Sequence, residues 1–176
     1  MFFIGRKKLM LIKLNWHEVQ MAWDVGVNRA AHSIRMELKD AHGWRPDPIL
    51  DVGWQCISAS SELAVAKALH LYWDGSVNTF NRPDLPNIEV KSQLHYLLDK
   101  HKSYNYLVVR KNMPEDQRYV FVVVNSKTDY EVAGFMPGYA AKKEKYLTSR
   151  GGREPFYAVP VSDLYPIKDI ESFPNA

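Results

Sequence analysis

The sequence predicts an α/β (α+β) domain with a central mixed β-sheet flanked by helices. Three observations lead there. Residues 62–69 are rich in alanine and leucine, both strong helix formers. Residues 119–124, Tyr-Val-Phe-Val-Val-Val, have no polar interruption, as expected of a central strand covered on both faces. The order of the segments is helix, helix, three strands, two more strands, helix and strand, which suits a sheet with helices packed against it.

Residues 1–14 are apolar but broken by Arg6, Lys7, Lys8 and Lys13. A secretory leader instead places its basic residues before an unbroken apolar stretch and a small-residue cleavage site. No stretch approaches the about 20 apolar residues that a spanning helix needs. A cytoplasmic protein with no membrane partner is therefore expected. Asn15 is placed to cap a helix, with Glu18 as its capping-box partner. Val19, Trp23, Val27, Ala30, Ile34 and Leu38 then recur at helical spacing. They give one long helix, or two joined near Gly26, ending before Gly43. Trp16 and Trp23 are expected to pack in a helix core or dimer face rather than to stack on bases.

Residues 42–48 hold a glycine and two prolines and read as a loop. A second helix is expected to enter through Ser58, Ser60 and Ser61 and to fade near Trp73. Asp74-Gly75 signals a turn, residues 77–80 a short strand and residues 83–87 another turn. Strands are expected at residues 88–91, 104–110, 119–124 and 130–135. Pro137 stands where a helix can begin, and residues 140–147 supply that helix. Gly151-Gly152 breaks it, residues 156–159 form a last strand, and the chain after Pro166 is expected to be loose. The expected division is an N-terminal helical extension (1–50), a core domain (51–166) and a tail (167–176).

At 176 residues the chain is long enough for one domain with a real core. Its hydrophobic content of 46% and charged content of 24% are ordinary for a globular protein. The net charge of +3 permits a polyanionic partner without demanding one. The single cysteine, Cys56, excludes an internal disulfide and a cysteine-rich metal site. It lies among Trp54, Ile57 and Ala59 and reads as a structural thiol. The six histidines show no His-x-x-x-His or Glu-x-x-His pair, which argues against zinc. Neither a Gly-x-Ser-x-Gly elbow nor a phosphate-binding Gly-Lys-Ser loop occurs.

The most informative segment is Pro83-Asp84 followed by Glu89-Val90-Lys91, downstream of the helix that carries Glu62. Glu89 and Lys91 are two apart on an expected strand and share a face, while Ile88 and Val90 point to a core. Asp84 lies one tight turn earlier, so a hairpin can bring its carboxylate toward Glu89. Two carboxylates and an ammonium on one face suit a cation or a substrate that organises them. Glu37-Leu38-Lys39 has the same spacing, but on an expected helix, where residues two apart do not share a face. The alternative for the strand motif is a surface strand with a solvated salt bridge.

A helix with a glutamate, a strand, Pro-Asp, then Glu-Val-Lys on the next strand resembles the PD-(D/E)XK, or restriction-endonuclease-like, nuclease superfamily, in particular its small phage or mobile-element members. The resemblance covers about residues 58–157. It implies a metal-dependent nuclease that hydrolyses phosphodiester bonds in DNA with Mg2+ or Mn2+. Asp84 and Glu89 would hold the metal, joined by Glu62 and by the carbonyl of Val90. Lys91 would position or activate water. Only four residues separate Asp84 from Glu89, a compressed hairpin for the family, and the strands at residues 119–135 are additional to its core. A catalytically inactive member acting as a nucleic-acid or protein-binding adaptor or inhibitor is the alternative. A third reading is an interaction module built on the first helix.

Magnesium prefers hard oxygen ligands, lowers the pKa of bound water and clamps reacting oxygens. Lysine supplies a compact ammonium able to reach the water or the phosphate. Holding a DNA backbone falls to basic residues: Lys142, Lys143, Lys145, Arg150 and Arg153, interleaved with tyrosines, and Arg82 near the motif. A homodimer is a further expectation, since cutting both strands is often done by paired sites.

Overall fold

The computed structural model describes residues 9–38, 47–77, 82–95, 105–149 and 154–173. The described chain forms three layers. Two helices, α1 (Trp16–Arg35) and α2 (Pro48–Leu69), cover one face of a four-stranded mixed sheet. Its strands are β1 (Met10–Lys13), β2 (Ile88–Leu94), β4 (Arg118–Val124) and β5 (Asp129–Pro137), in the order β1-β5-β4-β2. The other face packs on a three-stranded antiparallel sheet of β3 (Tyr106–Arg110), β6 (Leu147–Thr148) and β7 (Phe156–Pro160), with the short helix α3 (Gly138–Ala141) beside it. Only β2 and β4 run parallel; the other pairings are antiparallel. The α+β class with a mixed sheet thus holds. Among the described residues no helix is long and apolar enough to cross a membrane.

β4 is the central strand, and its sequence explains why. Val120, Val122 and Val124 face the helix layer, and Tyr119, Phe121 and Val123 face the second sheet. Both sets are buried, so no polar residue is tolerated between them. β5 carries a bulge opposite Phe121 and Val122. Gly134 there has φ 144°, and a Cβ at that position would lie 2.5 Å from the carbonyl oxygen of Tyr165. That close approach lets Phe135 and Tyr165 exchange backbone hydrogen bonds.

The capping box forms as the sequence suggests: the Glu18 amide donates to Asn15 Oδ1 and the Asn15 amide to Glu18 Oε2. Glu18 also accepts from Lys67 Nζ, tying the start of α1 to the end of α2. The helices cross at Gly26, where a Cβ would come within 2.5 Å of the Cys56 backbone. Cys56 is half-buried, its thiol donates to the Trp23 carbonyl, and burial together with Asp24 pushes its pKa up.

Several expectations are corrected. α2 begins at Pro48, not at the serines, because Asp47 caps the helix and proline suits its first turn. Ser60 and Ser61 sit inside the helix and donate to the carbonyls of Cys56 and Ile57 one turn back. Within the expected helical extension, residues 10–13 form a strand, β1, that pairs with β5, and α1 packs along α2. The expected helix at 140–147 is one turn, α3, followed by a 3-10 turn, because Tyr146 is drawn inward to donate to Asp163 and Leu147 joins β6. Residues 167–173 of the expected loose tail are packed. Ile167 and Ile170 are buried, and Phe173 packs edge-on to Phe135 at 5.2 Å. Of the two places expected for Trp16 and Trp23, the helix core is ruled out: they lie at the surface, in contact with each other. The expected strand at 77–80 falls largely outside the described residues.

The crossing at Gly26 allows a direct test. Gly26→Ala forces α1 away from α2 and should lower stability by about 1–3 kcal/mol. Urea denaturation of the two proteins side by side would measure it, and equal midpoints would mean that the helices separate freely.

Candidate functional site

The strand that carries Glu89 and Lys91 is an edge of the mixed sheet, so one of its sides is free of strand partners among the described residues. A tight turn precedes it. Leu85 and Ile88 exchange backbone hydrogen bonds across Pro86 and Asn87, and Asn87 takes the left-handed conformation that such a turn requires (φ 57°). The turn folds Asp84 back along β2, where Asp84 Oδ2 accepts the Val90 amide at 2.8 Å. A strand residue points its N–H and C=O to the same side. The Val90 carbonyl therefore also leaves the free edge, on the side of Asp84. The compressed spacing between Asp84 and Glu89 is what makes this return possible.

Glu89 and Lys91 share a face, as two-residue spacing dictates, and Lys91 Nζ lies 2.7 Å from Glu89 Oε1. Glu89 is in register with Tyr119 on β4. The Tyr119 hydroxyl donates to the Pro114 carbonyl, and burial, with Glu89 and Asp116 adding, raises its pKa.

Glu62 approaches from α2. It is 1% exposed and carries four hydrogen bonds. Arg29 on α1 grips it with both terminal nitrogens, at 2.6 and 2.9 Å, and Trp73 Nε1 and Ser58 Oγ complete its shell. Arg29 Nε in turn donates to the Ser76 carbonyl at 2.8 Å. Burial works against the Arg29 charge, but Glu62, Asp84 and Asp74 outweigh it and hold its pKa above the ordinary value. A cleft of about 310 Å³ is lined by Arg29, Ser58, Glu62, Arg82, Asp84 and Glu89, among others.

The charges of the cleft pair off with one exception. Arg29 pairs with Glu62, Lys91 with Glu89, and Arg82 with Asp74. Asp84 has no ion pair among the described residues. Desolvation, then the negative fields of Glu62 and Glu89, push its carboxyl from its ordinary 3.8 to about 7, against the opposing pull of the Val90 amide and Lys91. It is a half-buried carboxylate, unpaired among the described residues, that lines the cleft.

The predicted metal ligands are thus brought together, but not equivalently. Asp84, Glu89 and the Val90 carbonyl gather at the free edge of β2. Glu62 lines the same cleft with both oxygens already engaged. Among the described residues no group of three or more His, Cys, Asp or Glu side chains is arranged to hold a metal ion. What remains is a two-carboxylate set with a carbonyl. That set fits magnesium, which keeps several waters and is often held by one or two carboxylates.

The basic residues separate into two groups. Lys142 is turned inward, 11% exposed, donating to the Lys111 carbonyl beside Glu115, and so is spoken for. Lys143 and Lys145 are exposed, with Lys145 Nζ 4.4 Å above the Tyr146 ring and near Asp163. Their segment packs, through Ala140, Ala141 and Tyr146, on the sheet face from which Glu89 and Lys91 project. Arg82 is exposed at the cleft mouth. Arg150 and Arg153 lie outside the described residues. Sequence reasoning missed Arg29 and Trp73. The available signal was a lone arginine on the small-residue face of α1, next to Ala22, Gly26 and Ala30.

No protein-family model matches the chain, and no curated protein or solved structure matches it.

Two outcomes follow from this geometry. Arg29→Leu leaves the Glu62 charge buried and uncompensated and should cost about 3–5 kcal/mol in chemical denaturation. Replacing Glu62 by leucine as well should recover most of that loss. Asp84 binds its proton more tightly folded than unfolded, so its contribution makes stability fall as pH rises from 3.8 to about 7, and then level off. Asp84→Asn should remove that slope, which melting curves across this pH range would record.

Proposed function

We propose that the cleft is a metal-assisted phosphodiester hydrolysis site acting on DNA. The observation that carries this reading is Asp84: a half-buried carboxylate with no ion pair among the described residues, beside Glu89 and the outward carbonyl of Val90, with an ammonium held at the same edge. A divalent cation is the natural counter-ion for such a group, and Mg2+ or Mn2+ would be held by Asp84, Glu89 and the Val90 carbonyl. When bound, the ion supplies charge neutralisation at the phosphate and acidifies a coordinated water.

The chain's own residues supply the rest. Lys91, held by Glu89, offers its ammonium to an attacking water or to a phosphate oxygen. Glu62 serves as a positioning residue: through Arg29 it holds Ser76 at the cleft wall. In this reading the exposed Arg82, Lys143 and Lys145 would meet backbone phosphates, contacts that hold without reading sequence. The engagement of Glu62 with Arg29 favours a second reading, a nuclease-like protein that binds nucleic acid or a protein as an adaptor or inhibitor without cutting.

The test is cleavage of plasmid, linear, branched and single-stranded DNA with Mg2+ or Mn2+, with calorimetric titration of either ion. Wild type is expected to cut. Lys91→Ala should reduce cutting by about 10²–10⁴-fold, and Asp84→Asn and Glu89→Ala should abolish metal binding while remaining folded. A wild type that neither cuts nor binds metal, yet shifts DNA in a gel, would establish the adaptor reading instead.

A further inference from the structure

Helix α1 carries an apolar stripe that is exposed among the described residues. Trp16, Trp23, Val27 and Ile34 are 56%, 39%, 47% and 47% exposed. At 3.6 residues per turn they fall within about 40° of one another around the helix axis. The buried face of α1, made by Val19, Ala22, Gly26 and Ala30, lies to one side of this stripe. The neighbours closest to the stripe are Val19, Gln20, Ala30 and Ala31, so an arc of about 120° along the helix carries no charge. A solvent-facing helix surface is ordinarily charged or polar. Lys127 Nζ stands 5.4 Å over the Trp16 ring at one end of the stripe.

The spacing of the stripe identifies what covers it. Its steps are seven, four and seven residues, the same read in either direction. When a second α1 is laid antiparallel about a two-fold axis near residue 25, Trp16 meets Ile34 and Trp23 meets Val27, at both ends. The flanking uncharged residues match likewise, Gln20 with Ala30 or Ala31 of the other copy. This is the condition for an isologous contact, in which one patch complements itself, and an unrelated partner has no need of it.

We infer that the protein forms a two-fold homodimer by antiparallel pairing of α1 with α1 of a second copy, each pair of apolar side chains meeting twice. Arg29 and Ser33, which line the cleft, lie on a different side of the helix from the stripe, so pairing leaves both clefts open. The inference stands on the stripe alone and does not depend on what the cleft does.

Light scattering coupled to size exclusion, run on the full chain over a range of concentrations, tests it. Wild type should show the mass of a dimer that dissociates on dilution. Val27→Glu, beside the axis, should be a monomer at every concentration with an unchanged circular dichroism spectrum. Ile34→Glu, at the end of the stripe, provides a second variant should the first misfold. A wild type that is monomeric at the highest concentration, or a dimer that survives both folded variants, would overturn the inference.

Discussion

The burial of the Glu62 charge constrains the rest of the structure. A carboxylate 1% exposed survives ionised only with a full set of donors, and the chain draws them from three places. Arg29 comes from α1, Ser58 from the same helix, and Trp73 from the segment that follows it. Arg29 extends the network to Ser76. One buried group therefore fixes the crossing of α1 on α2 and the position of residues 73–76. This explains why the N-terminal helix is part of the domain: without it the central acidic residue of the helix layer would have no cation.

The same network shapes the electrostatics of the cleft. Because Arg29 satisfies Glu62, and Lys91 satisfies Glu89, the remaining imbalance settles on Asp84. A salt bridge between residues two apart on a strand is, taken alone, what any solvated edge can show, and contributes little. The cleft differs from such an edge through Asp84, which the Pro86-Asn87 turn folds back into a desolvated position beside two other carboxylates. Perturbed groups of this kind collect at functional sites.

Elements governed by neighbours in sequence were readable in advance. The capping box needs only Asn15 and Glu18, and the central strand needs only its uninterrupted apolar run. Glu89 and Lys91 share a face because strands alternate. Elements governed by distant partners were not. The serines of α2 look like a helix entry until their hydroxyls are seen to donate to the previous turn. Residues 10–13 form a strand because β5 offers an edge, and residues 167–173 are ordered because Phe135 and Tyr165 offer an aromatic surface. Nothing in these short segments announces its partner.

By itself the sequence determined the α+β class, the buried centre of the sheet, and the acidic and basic residues that meet at the edge of β2, since these follow from periodicity and from spacings of two to six residues. Tertiary structure alone decided which carboxylate goes uncompensated. That choice depends on Arg29 reaching Glu62 across 33 positions of chain, on Lys91 closing onto Glu89, and on the turn that sets Asp84 on the Val90 amide, where it makes no ion pair among the described residues. Charge pairing is a matter of distance in space, and a list of residues holds no distances.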